Sequence, residues 1–143
     1  MIFNYIGNFA LFFCLILSLI IFSTSILGLN NKNSFFKRNL NELLFFKFFF
    51  TLLSFFSLVI LFVNSEFSNE TVLNNSHISK PLFYKISGTW GNHEGSLLLW
   101  LLILTFCAFF YFLKSKNRPL DERLLTIMFQ ELIIIGFLFF LLK

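Results

Sequence analysis

Apolar residues run in four long blocks along this chain, at about 9–29, 43–63, 97–113 and 124–142, and polar residues gather between them. A hydrocarbon core about 30 Å thick is crossed by roughly 17–25 helical residues rising 1.5 Å each, and all four blocks fall in that range. Backbone groups in lipid are satisfied only inside helices or closed barrels. The blocks do not alternate with a period of two, so helices are expected. The pattern predicts an all-α integral membrane protein of about four transmembrane helices, one membrane domain over 1–143, with a long loop at about 64–96 between helices two and three. No Lys or Arg precedes the first block, it is longer than a signal-peptide core, and no small-residue cleavage site follows, so it is expected to stay attached. Pro81 and Pro119 fall outside the blocks. Asp121 and Glu122 open the fourth, where carboxylates suit the positive end of a helix dipole. No heptad and no internal repeat is visible.

Of the 143 residues 57% are hydrophobic and 13% charged, against roughly 25% charged in a soluble domain. A water-soluble enzyme, a disordered tail, a collagen and a disulfide-stapled secreted domain are excluded. Cys14 and Cys107 each sit inside an apolar block, where a small apolar role fits them. The net charge of +4 reads as membrane orientation, and no nucleic-acid partner is expected. Lys32, Lys37 and Arg38 in the first connection and Lys114, Lys116, Arg118 and Arg123 in the third outweigh Glu42, Asp121 and Glu122 there. In the second, Glu66, Glu70 and Glu94 outnumber Lys80 and Lys85. By the positive-inside rule the first and third connections face inside and the 64–96 loop faces outside.

Polar residues within spans are costly and so informative. Lys47, Thr51 and Ser54 share one face of the second helix; Arg123, Thr126 and Gln130 share one face of the fourth, with Glu131 alongside. Counted from the inside surface, Lys47 and Glu131 differ in depth by roughly 5 Å, which a lysine stem can cover. A Lys47 to Glu131 pair is one reading. The other has Lys47 snorkelling to the interface and Glu131 protonated or facing a partner chain. Lys47, Gln130 and Glu131 are thus candidate intramembrane contacts, and their faces are expected to point at other helices.

Over thirty residues without strong periodicity make the outside loop a candidate for function. Its first half, 64–77, is polar and carries little signal. Its second half holds Gly88, Gly91 and Gly95 within eight residues, flanked by Trp90 and Trp100 and including His93 and Glu94. Glycines there allow turns closed to other residues, or close approach of a flat ligand or a helix. His93 and Glu94 offer an axial ligand, a proton carrier or a hydrogen-bonding pair. One reading is an aromatic, glycine-rich ledge at the membrane surface; the other is a re-entrant turn whose tryptophans only anchor it at the interface. Catalytic motifs fail: after His93-Glu94 a zinc-protease helix needs a second His at position 97, which is Leu97. His77 and His93 lack partners at metal-site spacing, so no metal site and no catalytic residue is assigned.

The run Pro81 to Trp100, and within it Thr89-Trp90-Gly91-Asn92-His93-Glu94-Gly95-Ser96-Leu97-Leu98-Leu99-Trp100, closely resembles the N-terminal region of the cytochrome c maturation factor F (CcmF) family. Ile6-Gly7-Asn8 and Val63-Asn64 resemble the family at the same relative positions. The resemblance implies a polytopic component of a haem lyase, which attaches haem to apocytochrome c, with this loop on the periplasmic or intermembrane-space side. It also implies handling of haem by the assembly, and as partners a haem chaperone, apocytochrome c, membrane lipid and the remaining haem-lyase segment with its Trp-rich signature. That signature and the family's haem-ligating histidines lie further along the family's chain, and neither His77 nor His93 corresponds to one. The chain is therefore expected to be an N-terminal piece of a divided haem lyase or an incomplete reading frame, not catalytic alone. Trp90, Gly91, His93, Glu94, Gly95 and Trp100 are the candidate haem or apocytochrome surface. A composition rich in Phe, Ile, Asn, Lys and Leu fits an A+T-rich organellar genome, so a mitochondrial inner membrane is expected, with a bacterial inner membrane as the alternative. The competing reading is a small structural or proton-path subunit of a respiratory complex.

Overall fold

A computed structural model describes residues 2–30 and 39–142. Lys32, Lys37 and Arg38, on which the orientation of the first connection rests, lie outside the described residues. The helices in chain order are α1 (Ile2–Asn30), α2 (Leu40–Val63), α3 (Glu70–Asn75), α4 (Leu82–Gly88), α5 (His93–Lys114) and α6 (Leu120–Leu141), with a 3₁₀ turn at Ser115–Asn117. Of these, α1, α2, α5 and α6 are long and apolar enough to cross a membrane. They begin before the apolar blocks, at residue 2 and not 9, 40 and not 43, 93 and not 97, 120 and not 124. Hydrocarbon sets the length of an apolar block, whereas capping and backbone hydrogen bonds set the length of a helix, so polar turns carrying Asn4, Glu42, Glu94 and Asp121 extend each span beyond its block. The 64–96 loop is not structureless either, since α3 and α4 both lie in it.

The four long helices close into a ring: α1 packs on α2 and α6, and α5 packs on the same two from the other side. Their buried positions follow a spacing of three and four. These are Leu11, Cys14, Ser18, Ile21, Ser25 and Gly28 on α1, and Leu40, Leu44, Lys47, Thr51 and Ser54 on α2. Leu98, Leu101, Thr105, Ala108 and Phe112 follow on α5, and Leu124, Ile127, Glu131, Ile134 and Leu138 on α6. This is the period of a left-handed helical bundle. No apolar heptad marks this seam in the sequence, since Ser18, Ser25, Lys47, Thr51, Ser54, Thr105 and Glu131 occupy part of it. The seam is hidden further because the outward faces are as apolar as the inward ones, carrying exposed Phe12, Phe49, Phe56, Phe129 and Phe139. What separates the faces is that small and hydroxylated residues, Ser18, Ser25, Thr51, Ser54, Thr105 and Ala108, join Leu and Ile inside and let backbones approach, whereas Phe62 and Phe112 are the only buried phenylalanines among the described residues. Cys14 is buried in the seam and Cys107 exposed on α5, and both are free.

Two apolar layers fill the bundle. One, towards the 115–117 turn, joins Ile21, Leu40, Leu44, Ala108, Phe112, Leu124 and Ile127; the other, towards the loop, joins Leu11, Cys14, Leu98, Leu101, Ile134 and Leu138. Arg123 clamps the turn, donating from Nη2 to the Phe112 carbonyl (2.7 Å) and from Nε to Ser115 Oγ (3.0 Å) while stacking over the Phe112 ring at 4.0 Å. A carbonyl orphaned at the end of α5 is satisfied in this way.

Candidate functional site

Between α4 and α5 the chain makes a tight elbow held by Asn92. Its side-chain Oδ1 accepts from the Gly95 N–H (2.6 Å), capping α5, while its Nδ2 donates back to the Gly88 carbonyl (2.9 Å) and the Thr89 carbonyl (3.1 Å). One carboxamide thus joins the end of one helix to the start of the next. Gly95 is required by proximity, since a Cβ there would overlap the Thr89 carbonyl oxygen. A Cβ on Gly91 would sit 3.3 Å from the Ser87 carbonyl oxygen, and one on Gly88 would meet the Phe62 ring at an ordinary 3.5 Å. The expectation that these glycines serve turns closed to other residues is corrected: none of the described glycines has a positive φ, and the left-handed residue of the loop is Ser65 at 53°. Backbone approach, not backbone chirality, is the constraint.

The elbow sets His93 and Glu94 in the first turn of α5. The His93 ring meets Phe140 of α6 edge to face at 5.6 Å, and Glu94 accepts a hydrogen bond from Thr71 Oγ1 of α3. Asn69 caps α3, accepting from the Val72 N–H at 3.3 Å, and donates to Asn4 Oδ1 of α1 at 2.9 Å. Val72 is buried with Leu61 and Phe62. Together these contacts tie α3 over the loop-side mouth of the bundle. Beneath it opens a cavity of about 350 Å³ with polar walls from Asn4, Asn8, Asn69, Glu70, His93 and Glu94 and a floor that includes Leu11, Ser54, Ser57 and Leu98.

The candidate surface therefore divides. His93 and Glu94 line the cavity, and Gly95 is buried behind them. Trp90 and Trp100 do not line it; they are 43% and 59% exposed, and Phe83 and Tyr84 on α4 are exposed as well. Sequence reasoning missed Asn69, Thr71 and Asn92. Asn69 followed at once by Glu70 is an N-cap with an acid in the first turn, a signal that marks α3.

A second polar centre lies deeper. Lys47 Nζ on α2 donates to Glu131 Oε1 on α6, with both side chains fully buried. Since α2 and α6 are opposite each other in the ring, the pair crosses the bundle between its two apolar layers. Snorkelling of Lys47 and an outward-facing Glu131 are both corrected by this arrangement, since the two side chains meet each other inside the bundle, where buried polar groups need a partner. Thr51 Oγ1 donates to the Lys47 carbonyl (2.8 Å) and lies 3.3 Å from Cys14 Sγ. Gln130, on the neighbouring face of α6, donates to the Leu104 carbonyl of α5 at 2.8 Å.

No protein-family profile matches the chain. The cytochrome c-type biogenesis protein CycK of Rhizobium meliloti (strain 1021) is 47% identical over 89 residues, 62% of this chain and 13% of that protein. The cytochrome c-type biogenesis protein CcmF of Haemophilus influenzae is 31% identical over 137 residues, 96% of this chain and 21% of that protein. Among solved structures, a cytochrome c haem lyase CcmF superposes with a TM-score of 0.86 at 25% identity, covering 94% of this chain and 22% of that one. The chain thus spans about one-eighth to about one-fifth of the length of these relatives.

Proposed function

We propose that this chain, a homologue of the CcmF and CycK cytochrome c-type biogenesis proteins and equivalent to a portion of them, is the four-helix part of a haem lyase that attaches haem to apocytochrome c. What carries the reading is the match of nearly the whole bundle to the cytochrome c haem lyase structure. The remaining segment, with its Trp-rich signature, completes the assembly, on this polypeptide or another. Haem is its substrate, and a haem chaperone, apocytochrome c and membrane lipid are its partners. His93 and Glu94 in the cavity and the exposed Trp90 and Trp100 then face haem or apocytochrome, while Gly91 and Gly95 let the backbone of the elbow pass closely enough to set them. In this reading the loop lies in the intermembrane space of a mitochondrion, by virtue of the composition. The bacterial sources of the relatives support a periplasmic loop as the second reading. A small subunit of a respiratory complex is not favoured, since the relatives named are cytochrome c-type biogenesis proteins.

Depletion of the chain should lower the yield of holocytochrome c and leave respiratory complexes without c-type haem assembled. Loss of those complexes with normal holocytochrome c would overturn the proposal. Within it, His93→Ala tests the cavity: an unchanged yield removes His93 from the working surface.

A further inference from the structure

The two halves of the outside loop present different side chains. Around α3 the exposed ones are mostly polar, among them Asn64, Ser68, Glu70, Asn74 and Asn75. Between residues 78 and 84 the large exposed ones are apolar or aromatic: Ile78 is 73% exposed, Leu82 61%, Phe83 76% and Tyr84 63%. Leu82, Phe83 and Tyr84 are consecutive in α4, each turned about 100° from the last, so more than half of the first turn of α4 is uncovered. Only its last turn, Lys85 to Gly88, is half-buried.

Charge divides the loop at the same place. Lys80 and Lys85 are its two cations, and no carboxylate lies between residues 71 and 93; Glu66, Glu70 and Glu94 all stand outside that stretch. Lys80 Nζ donates to the Asn75 carbonyl at 2.9 Å, which holds the ammonium at the start of the apolar run and leaves it two N–H bonds for another acceptor.

The level of α4 follows from its attachments. Gly88 lies against the ring of Phe62, in the last turn of α2, and the short elbow after it leads directly into α5. One end of α4 is therefore fixed where two spans leave the hydrocarbon. Seven residues make a helix about 10 Å long, and the headgroup layer is roughly 5–8 Å deep on each side of a bilayer. Standing upright, α4 would hold its uncovered apolar side chains in water; lying flat, it buries them at the boundary of the acyl chains.

We propose that residues 78–85 are an interfacial anchor on the loop-side leaflet, in which Ile78, Leu82, Phe83 and Tyr84 enter the acyl boundary while Lys80 and Lys85 bind lipid phosphates. A phospholipid surface is the occupant because the spans already bring it to this level and because the run is apolar, basic and free of acid, the pattern that anionic headgroups attract. By fixing one end of the elbow, the anchor sets the height above the bilayer at which the cavity lined by His93 and Glu94 opens. This inference rests on the membrane spans and not on the haem-lyase reading.

The test uses the full chain with Cys107→Ala, Cys14 being buried, in vesicles of phosphatidylcholine and phosphatidylglycerol. A nitroxide is attached at Phe83→Cys and, on a separate protein, at Ile78→Cys, both exposed positions whose variants are checked for helix content by circular dichroism. Spin relaxation then measures collisions with oxygen, which concentrates in lipid, and with a neutral nickel chelate, which stays in water. Both labels should meet oxygen several-fold more readily than the chelate, and a label at Asn74→Cys on α3 should show the reverse. Lys80→Gln with Lys85→Gln should raise chelate contact at position 83 several-fold in these vesicles and less in phosphatidylcholine alone. Preference for the chelate at 78 and 83 overturns the proposal by placing the segment in water, and low contact with both reagents overturns it by placing protein over the segment. A double lysine variant that behaves as the parent in both vesicles overturns the binding of phosphate.

Discussion

Glu131→Gln keeps the shape of the side chain and strips its charge, leaving the Lys47 ammonium alone at a position with no solvent exposure. Breaking a buried ion pair costs about 3–5 kcal/mol, and placing a lone lysine mid-span costs about 2.5–3.5 kcal/mol on insertion scales. The ranges overlap near 3 kcal/mol, which at ~1.4 kcal/mol per decade is about a hundred-fold in the folding equilibrium. Lys47→Met instead leaves an unsatisfied carboxyl group, at about 1–3 kcal/mol. The double variant Lys47→Met with Glu131→Leu removes both charges and fills the space with hydrocarbon, and should return to within about 1 kcal/mol of the parent or exceed it. Unfolding by SDS in mixed micelles, followed by the fluorescence of Trp90 and Trp100, measures the parent, Lys47→Met, Glu131→Leu and the double variant that close the cycle, with Glu131→Gln beside them. If the double variant loses as much as the two single losses added together, the residues are not coupled and the crossing of the bundle is not what holds α2 to α6.

Other consequences concern the elbow and its cover. Gly95→Ala should cost about 1–3 kcal/mol or prevent the elbow from forming, because the added methyl must displace the Thr89 carbonyl; the same micelle assay reads it. Asn92→Ala should lose about 1 kcal/mol for the cap and more for the two carbonyls it strands, with faster amide exchange confined to the first turn of α5. Thr71→Val deletes the tie to Glu94, so exchange should quicken across α3 while global stability stays within about 1 kcal/mol. Gln130→Leu removes the bond to Leu104 and should cost about 1 kcal/mol, with no effect on the α3 amides.

Hydropathy sufficed to read the four spans, because lipid demands long apolar blocks whatever the packing. Which face of each span turns inward was not legible from apolarity, since Phe49 and Leu44 are equally apolar and only Leu44 is buried. The polar residues told more: depth arithmetic brought Lys47 and Glu131 to within a lysine stem of each other, but nothing in the sequence showed that α2 and α6 stand opposite. At the loop, His93 and Glu94 stood out by type, and the structure sets both on the cavity wall. Asn92 did not stand out, because its role arises from three backbone groups that meet only once the elbow has closed.

The diagonal ion pair also bears on the order in which the spans can settle in the membrane. During synthesis α2 emerges well before α6, so Lys47 enters the bilayer region with its eventual counter-charge still untranslated. Until α6 arrives, that ammonium must stay near a headgroup layer or be shielded by an insertion factor, and the first three spans form only a provisional cluster. Docking of α6 releases Lys47 from that constraint and draws the second span to its final depth. Arrival of α6 would therefore complete the placement of α2, and a cluster stalled before that step would present an uncompensated cation.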